Sequence, residues 1–290
     1  MWVGLSIFAS ICFTICNSFI VELSLAVGPY SMFYFASGAV FASMIFNLIE
    51  AYRNKQEVGI FWNNQNLIVY GKLRWRNVFG FIGFCGLYFI VQNGVLLTIY
   101  FAVAADLNAG VITTIWSVTP FFCAFADYLL FNERLRIHHF IGISCIVLCT
   151  LLLSLIKVID PEIVLEAITL ESAPSLIPTY IPVLMGIFVP VVFTIWGMTI
   201  KHLTQDRIGF KPSNLGFNSC LVVNLIVLVV VLPYWSDGLG HFNQRLFWIG
   251  FVGSIFDTIG KVSANASLSY GPAGPCAALQ CLSGMYLVAV

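Results

Sequence analysis

Charge is what this chain has least of. Only 9% of its 290 residues are Asp, Glu, Lys or Arg, against about a quarter in soluble domains. The 13 basic and 13 acidic residues cancel. The scarcity excludes a solvated globular surface, and the lack of a basic excess excludes nucleic acid as a partner. Histidine is nearly missing too. His138 and His139 fall in a predicted turn, His202 and His241 in predicted loops, too scattered to hold a metal. No nucleophile elbow, HExxH, phosphate-binding GxxxxGK or paired intramembrane aspartates in GxGD-like motifs occur, so no enzyme is expected. The nine cysteines (Cys12, Cys16, Cys85, Cys123, Cys145, Cys149, Cys220, Cys276 and Cys281) lie inside apolar segments. There they read as reduced small hydrophobes; a disulfide framework would place them in exposed loops.

What the chain has in abundance is apolar length. Sixty per cent of it is hydrophobic and the mean hydropathy is +0.95. Runs of about 20 apolar residues match a bilayer core, and only helices satisfy their backbone there without outside partners. The spacing predicts helices over residues 2–27, 30–49, 78–104, either side of a polar break at 132–136, 180–200, 212–232 and 246–267. A ninth opens at Gly271-Pro272-Ala273-Gly274. The first run has no basic flank and no small-residue cleavage site, and a second span follows directly, so it reads as a membrane helix and not a cleaved signal. Residues 51–77 mix Arg53, Lys55, Lys72, Arg74 and Arg76 with Phe61, Trp62, Tyr70 and Trp75, a loop suited to the headgroup interface. Gly80, Gly83 and Gly86 predict a close helix contact. Asp160-Pro161-Glu162 predicts a short surface helix in the loop 157–179.

The stretch 108–154 organises the rest. Its first helix carries Pro120 in mid-span, where the lost hydrogen bond is tolerated against protein or a cavity. The run SVTPFFCAFADYLLFNERL at 117–135, followed by an apolar helix with Gly142, resembles the fourth and fifth helices of an EamA-type domain of the drug/metabolite transporter superfamily. In that resemblance Pro120, Glu133 and Arg134 belong to a structural motif. The resemblance implies an all-α integral membrane protein of two inverted five-helix repeats. It also implies a small organic solute such as an amino acid, nucleoside, nucleotide-sugar or organic phosphate, moved by exchange or with protons.

Comparison of the chain with itself points the same way. Phe13-Thr14-Ile15, Ile20 and Leu23 reappear 180 residues later as Phe193-Thr194-Ile195, Ile200 and Leu203, and Ala109-Gly110 as Ala273-Gly274 at an offset of 164. The expected organisation is a first repeat over 1–157, a non-cytoplasmic linker over 158–179, and a second repeat over 180–290. By that register the end of the ninth helix and a tenth lie beyond Val290, so the ten-helix fold is truncated. Ten of the 13 basic residues fall in three alternate loops: Arg53, Lys55, Lys72, Arg74 and Arg76; Arg134 and Arg136; Lys201, Arg207 and Lys211. The intervening loops hold Lys157 and Arg245 among Asp106, Asp160, Glu162, Glu166, Glu171 and Asp237. The positive-inside rule then predicts a cytoplasmic N-terminus.

A charge at the bilayer centre costs at least about 2.5–3.5 kcal/mol, so each one needs a reason. Asp257 and Lys261, four residues apart, share a helix face within pairing reach. Either they are a neutral pair that lets the helix insert, or the pair opens for an ionised solute or proton. Lys261 is the residue expected to meet an anionic or carbonyl-bearing substrate, with Asp257 holding it. Asp127 is expected to snorkel to Arg134 or Arg136, which also offset Glu133, and Glu22 to snorkel at the far end of the first helix. A second tier is neutral: Asn17, Gln92, Asn93, Thr113, Thr114, Trp116, Trp196, Asn265 and Gln280. Alone, each reads as an interhelical hydrogen bonder. Together they resemble the cavity-lining helices of drug/metabolite transporters. Trp116 and Trp196 sit away from the interfaces that hold Trp2, Trp62, Trp75, Trp235 and Trp248, and a ring wall for a planar solute is one use for them.

The expected function is transport of a small organic solute by alternating access. The rivals are a nucleotide-sugar or organic-phosphate exchanger and a non-transporting scaffold or receptor-like protein. The partners expected are the solute and the lipid bilayer, with a homodimer left open; no cofactor, metal or nucleic acid is expected.

Overall fold

The computed structural model describes residues 1–27, 31–59, 67–69, 72–105, 107, 112, 115–133, 137, 139–145, 148, 152, 177–178, 180–238 and 243–283. Through them run α1 (Trp2–Val27), α2 (Ser31–Val58), a small antiparallel hairpin of β1 (Ile68–Val69) and β2 (Lys72–Leu73), and α3 (Trp75–Ala104). Then follow α4 (Thr119–Phe131), α5 (Tyr180–Thr204), α6 (Pro212–Gly238), α7 (Gln244–Tyr270) and α8 (Ala273–Gln280). Six of these helices (α1, α2, α3, α5, α6 and α7) are long and apolar enough to cross a membrane, and α4 is a shorter apolar helix. Their outer faces are greasy: Phe79, Leu130, Leu184 and Val229 are each 60–70% exposed. Apolar exposure on that scale suits lipid and not water. These are the elements of an all-helical, multi-pass membrane protein.

Several boundaries differ from the sequence expectation, each for a local reason. The described residues of the predicted loop after the second helix are mostly helix and hairpin, because α2 continues as a solvated end carrying Arg53 and Glu57 at helical spacing, 3.5 Å apart. The fourth span is interrupted. Ser117 and Val118 form a turn, and Pro120 opens α4 in its first turn, where the missing N–H has no partner to lose. One lost hydrogen bond within a continuous span was expected there, and the chain makes a new helix start instead. α4 ends at Asn132, whose N–H reaches the Asp127 carbonyl and whose left-handed φ of 54° turns the next N–H, that of Glu133, back to the same carbonyl at 3.4 Å. α6 runs on through Pro233, where an end was expected. At α7 the Asn243 side chain accepts from the N–H groups of Arg245 (3.0 Å) and Leu246 (3.3 Å), capping the helix.

Packing alternates between the first and second halves of the chain. α1 lies against α7 and α8; α2 against α6 and α7; α3 against α5 and α6; α4 against α5 and α8. Contacts at both ends fix the sense of α1 against α7: Glu22 meets Arg245 near one end, Trp2 meets Gly271 near the other, and the two helices are antiparallel. α3 and α5 are antiparallel as well, with Gly80 at Leu203 and Gly94 at Val189.

Small residues make the close approaches, and of the three expected in α3 only Gly80 does so, against Leu203 of α5. Gly83 and Gly86 face nothing within 4 Å, because a spacing of three turns successive side chains 60° off a common face. Instead α7 supplies the smooth surface. A Cβ on Gly260 would sit 3.0 Å from Cys12 and Phe13 of α1, and one on Gly250 2.7 Å from Tyr34 of α2.

Candidate functional site

Three of the long helices each carry a polar pair four residues apart on an otherwise apolar surface: Tyr88 and Gln92 in α3, Cys220 and Asn224 in α6, Asp257 and Lys261 in α7. A separation of four places both members on one face, and packing turns the three faces towards one another. The Lys261 ammonium donates to Asp257 Oδ2 (2.5 Å), Tyr88 Oη (3.1 Å) and Gln92 Oε1 (3.4 Å). It also lies 4.5 Å from the centre of the Tyr88 ring. The Gln92 amide donates to Asn224 Oδ1 at 2.8 Å, Asn224 donates to the Cys220 carbonyl at 2.8 Å, and the Cys220 thiol donates to Tyr88 Oη at 3.2 Å. The network is buried, and all three donors of the ammonium are engaged.

It lies at mid-depth. Asp257 is thirteen residues from Gln244 and thirteen from Tyr270, about 20 Å from either end of α7 at 1.5 Å per residue. Beside the pair opens a cavity of ≈ 130 Å³, walled by residues from α1, α2, α3, α4, α5, α7 and α8 and by Trp116 and the residues following α8. Asp257 and Lys261 are the charged groups on that wall, and they neutralise each other.

Of the residues expected at a site, Asn17, Gln92, Trp116, Trp196, Asp257, Lys261 and Gln280 line this one cavity. Two do not. Asn93 turns back to donate to its own helix at the Phe89 carbonyl (2.8 Å), and Asn265 packs beside Gly216 between α7 and α6. Thr113, Thr114, Arg134 and Arg136 lie outside the described residues. Trp196 is held by Phe84, stacked at 6.1 Å, and by Phe193 at 5.1 Å. The indole N–H groups of Trp116 and Trp196 and the Oε1 of Gln280 are buried with no partner among the described residues. Gln280 Nε2 donates to Ser267 at 3.1 Å.

Tyr88, Cys220 and Asn224 were not anticipated. Their signal was present as two further pairs of polar residues four apart inside apolar runs, the same spacing that marked Asp257 and Lys261.

A second buried cluster sits at the end of the bundle where α4 and α5 finish. Asp127 is fully buried, accepting from Lys201 Nζ at 2.8 Å on Oδ1 and from the Ala273 N–H, at the start of α8, at 2.6 Å on Oδ2. Lys201 also pairs with Glu133 at 2.7 Å and lies 5.1 Å from the Phe131 ring centre. Among the described residues Asp127 is held by a lysine from a neighbouring helix and by a bare helix N-terminus; the loop arginines expected as its partners lie outside them. Lys201, expected in a loop, is buried in the last turn of α5. At the opposite end of the bundle Glu22 and Arg245 pair at 3.0 Å in the open.

Fold and site together define an all-helical multi-pass membrane protein with a charge-neutral cavity halfway along its helices. No protein-family model matches the chain, and no curated protein matches it.

Proposed function

We propose that this protein is a membrane transporter of the EamA-like, drug/metabolite superfamily type, moving a small organic solute by alternating access through the cavity beside Lys261. One observation carries the reading: an ion pair stationed at mid-depth on the wall of a cavity. Such a charge is expensive in lipid and is expected to be functional.

The packing supports a duplicated bundle. Exchanging α1 with α5, α2 with α6, α3 with α7 and α4 with α8 turns the α1–α7 contact into α5–α3, and α1–α8 into α5–α4. The same exchange maps α2–α6 and α4–α8 onto themselves. Each of these contacts is present, as a pseudo-two-fold relation between the halves requires, while the α6–α7 contact has no comparable α2–α3 counterpart among the described residues. With Lys201 inside the bundle, nine basic residues still fall in the three alternate loops, and the proposed orientation keeps the N-terminus cytoplasmic. Rocking one set of helices against the other would open the cavity to each side in turn.

The scaffold alternative draws its support from the ammonium's complete set of partners. Uptake separates the two. In vesicles reconstituted with the purified protein and screened against a panel of radiolabelled metabolites, the protein takes up at least one solute, and Lys261→Ala reduces that uptake to the level of empty vesicles while its elution from a sizing column is unchanged. Uptake by the variant at the wild-type rate removes Lys261 from the site, and no uptake of any solute by the wild type leaves the scaffold.

A further inference from the structure

The wall of the cavity is chemically specific about what it refuses. A phosphate or carboxylate needs a cation free to meet it, and Lys261 has no free donor: Asp257, Tyr88 and Gln92 take all three of its N–H groups. What is free is neutral. The Asn17 carboxamide, half-buried on the wall, has no hydrogen-bond partner among the described residues. Behind it, the Gln280 Oε1 and the Trp116 indole N–H are buried without a partner among the described residues. A carboxamide offers a donor and an acceptor side by side, and its complement is another amide edge, a C=O next to an N–H. The other surfaces are aromatic, with Phe13, Trp116 and Phe193 on the wall and only partly buried. Size narrows the choice further: ≈ 130 Å³ is well under the roughly 300–1,000 Å³ of sites for drug-sized ligands.

Resting on the transporter reading, we propose that the cavity takes a planar, uncharged, single-ring heterocycle with a lactam or carboxamide edge, bonded by Asn17 and flanked by Trp116. Phosphorylated solutes and nucleotide-sugars are refused. The Asp257–Lys261 pair then stays closed in the bound state, and its part is to fix Gln92 and Tyr88 beside the ring. An uncharged ring stacks on aromatic faces and bonds to neutral dipoles without asking for a counter-charge. An anion entering here would have to pull Lys261 from an aspartate, at a cost a ring solute avoids.

The test is a binding experiment on the full chain purified in detergent, with thermal melting as readout because a ligand stabilises what it binds. The probes are 2-pyridone and uracil as uncharged lactams, orotate as the same ring bearing a carboxylate, and uridine monophosphate. The lactams raise the melting temperature, and orotate and uridine monophosphate do not. Asn17→Leu weakens lactam binding at least tenfold with its unliganded melting temperature preserved, Asn17→Gln weakens it less, and Asn93→Leu, off the wall, leaves it unchanged. Should Asn17→Leu fail to fold, Asn17→Gln and Trp116→Leu carry the test, each expected to lose affinity. Stabilisation by orotate or uridine monophosphate equal to that by uracil overturns the proposal, as does a flat response to both lactams or undiminished binding by the Asn17 variants. Lactam binding without lactam uptake into vesicles overturns the transporter reading and leaves the site standing. Uptake of an anion with no lactam binding does the reverse.

Discussion

Two lysines, Lys201 and Lys261, are buried to the same degree, 8% exposed each, and each is paired with an aspartate, yet they do different things. Around Lys201 the partners are structural and final. Asp127 spends one oxygen on the lysine and the other on the first N–H of α8, so the cluster ties the ends of α4, α5 and α8 into one knot. Around Lys261 the partners are side chains on helices whose shared face opens on a cavity, and they can be exchanged without unravelling a helix end. A buried ion pair is therefore no sign of function by itself. What distinguishes the two is whether open space adjoins the pair and whether any of its bonds go to backbone.

The comparison breaks or holds on three variants. The largest effect belongs to Asp127→Ala. It strands Lys201 beside Glu133 alone and leaves the Ala273 N–H bare, and removing one partner of a buried pair costs roughly 3–5 kcal/mol. Thermal melting in detergent drops by many degrees, and a sizing column reads the loss of the monodisperse peak; a melt like the wild type's would make the two lysines equivalent. Next is the neutral double substitution Asp257→Asn with Lys261→Met. It removes both charges at once and leaves no ion unpaired, so the fold is kept, with a melting temperature above that of Asp127→Ala, while uptake is lost. Equal destabilisation by the two would mean that the Lys261 pair, too, is there to hold helices together. The smallest effect is Glu22→Gln. That pair stands in solvent, its side chains 45% and 80% exposed, and such pairs contribute roughly 0.2–1 kcal/mol. Melting and uptake both stay close to wild type, and salt moves the variant less than the parent.

Much of the site could be read in the chain because a polar residue in an apolar helix announces itself. Asn17, Gln92, Trp116, Trp196, Gln280 and the Asp257–Lys261 pair were legible on that ground, and they meet at one cavity. Asn93 stood out equally and goes elsewhere: it is turned 100° from Gln92 around the helix, and its amide bonds back to the Phe89 carbonyl. Tyr88 and Cys220 were passed over because tyrosine and cysteine count as ordinary lining for an apolar run. Of the glycine pattern in α3 only Gly80 meets a neighbouring helix, since a spacing of three drifts about 60° per step and carries Gly86 well round from it. Lys201 misled for a different reason. A lysine at a helix end looks like interface, and only the arrival of Asp127 from another helix makes it interior.

Amino-acid order alone settled that this chain makes long apolar helices, because twenty greasy residues in a row have one stable backbone form in lipid. It also settled where Asp257 and Lys261 can bond each other, since four residues along a helix is a local distance. Which lysine faces a cavity and which one clamps a helix end was decided by tertiary packing, because the groups that make the difference, Tyr88, Asn224, Asp127 and the Ala273 N–H, come from segments more than 70 residues away in the chain or bond to them.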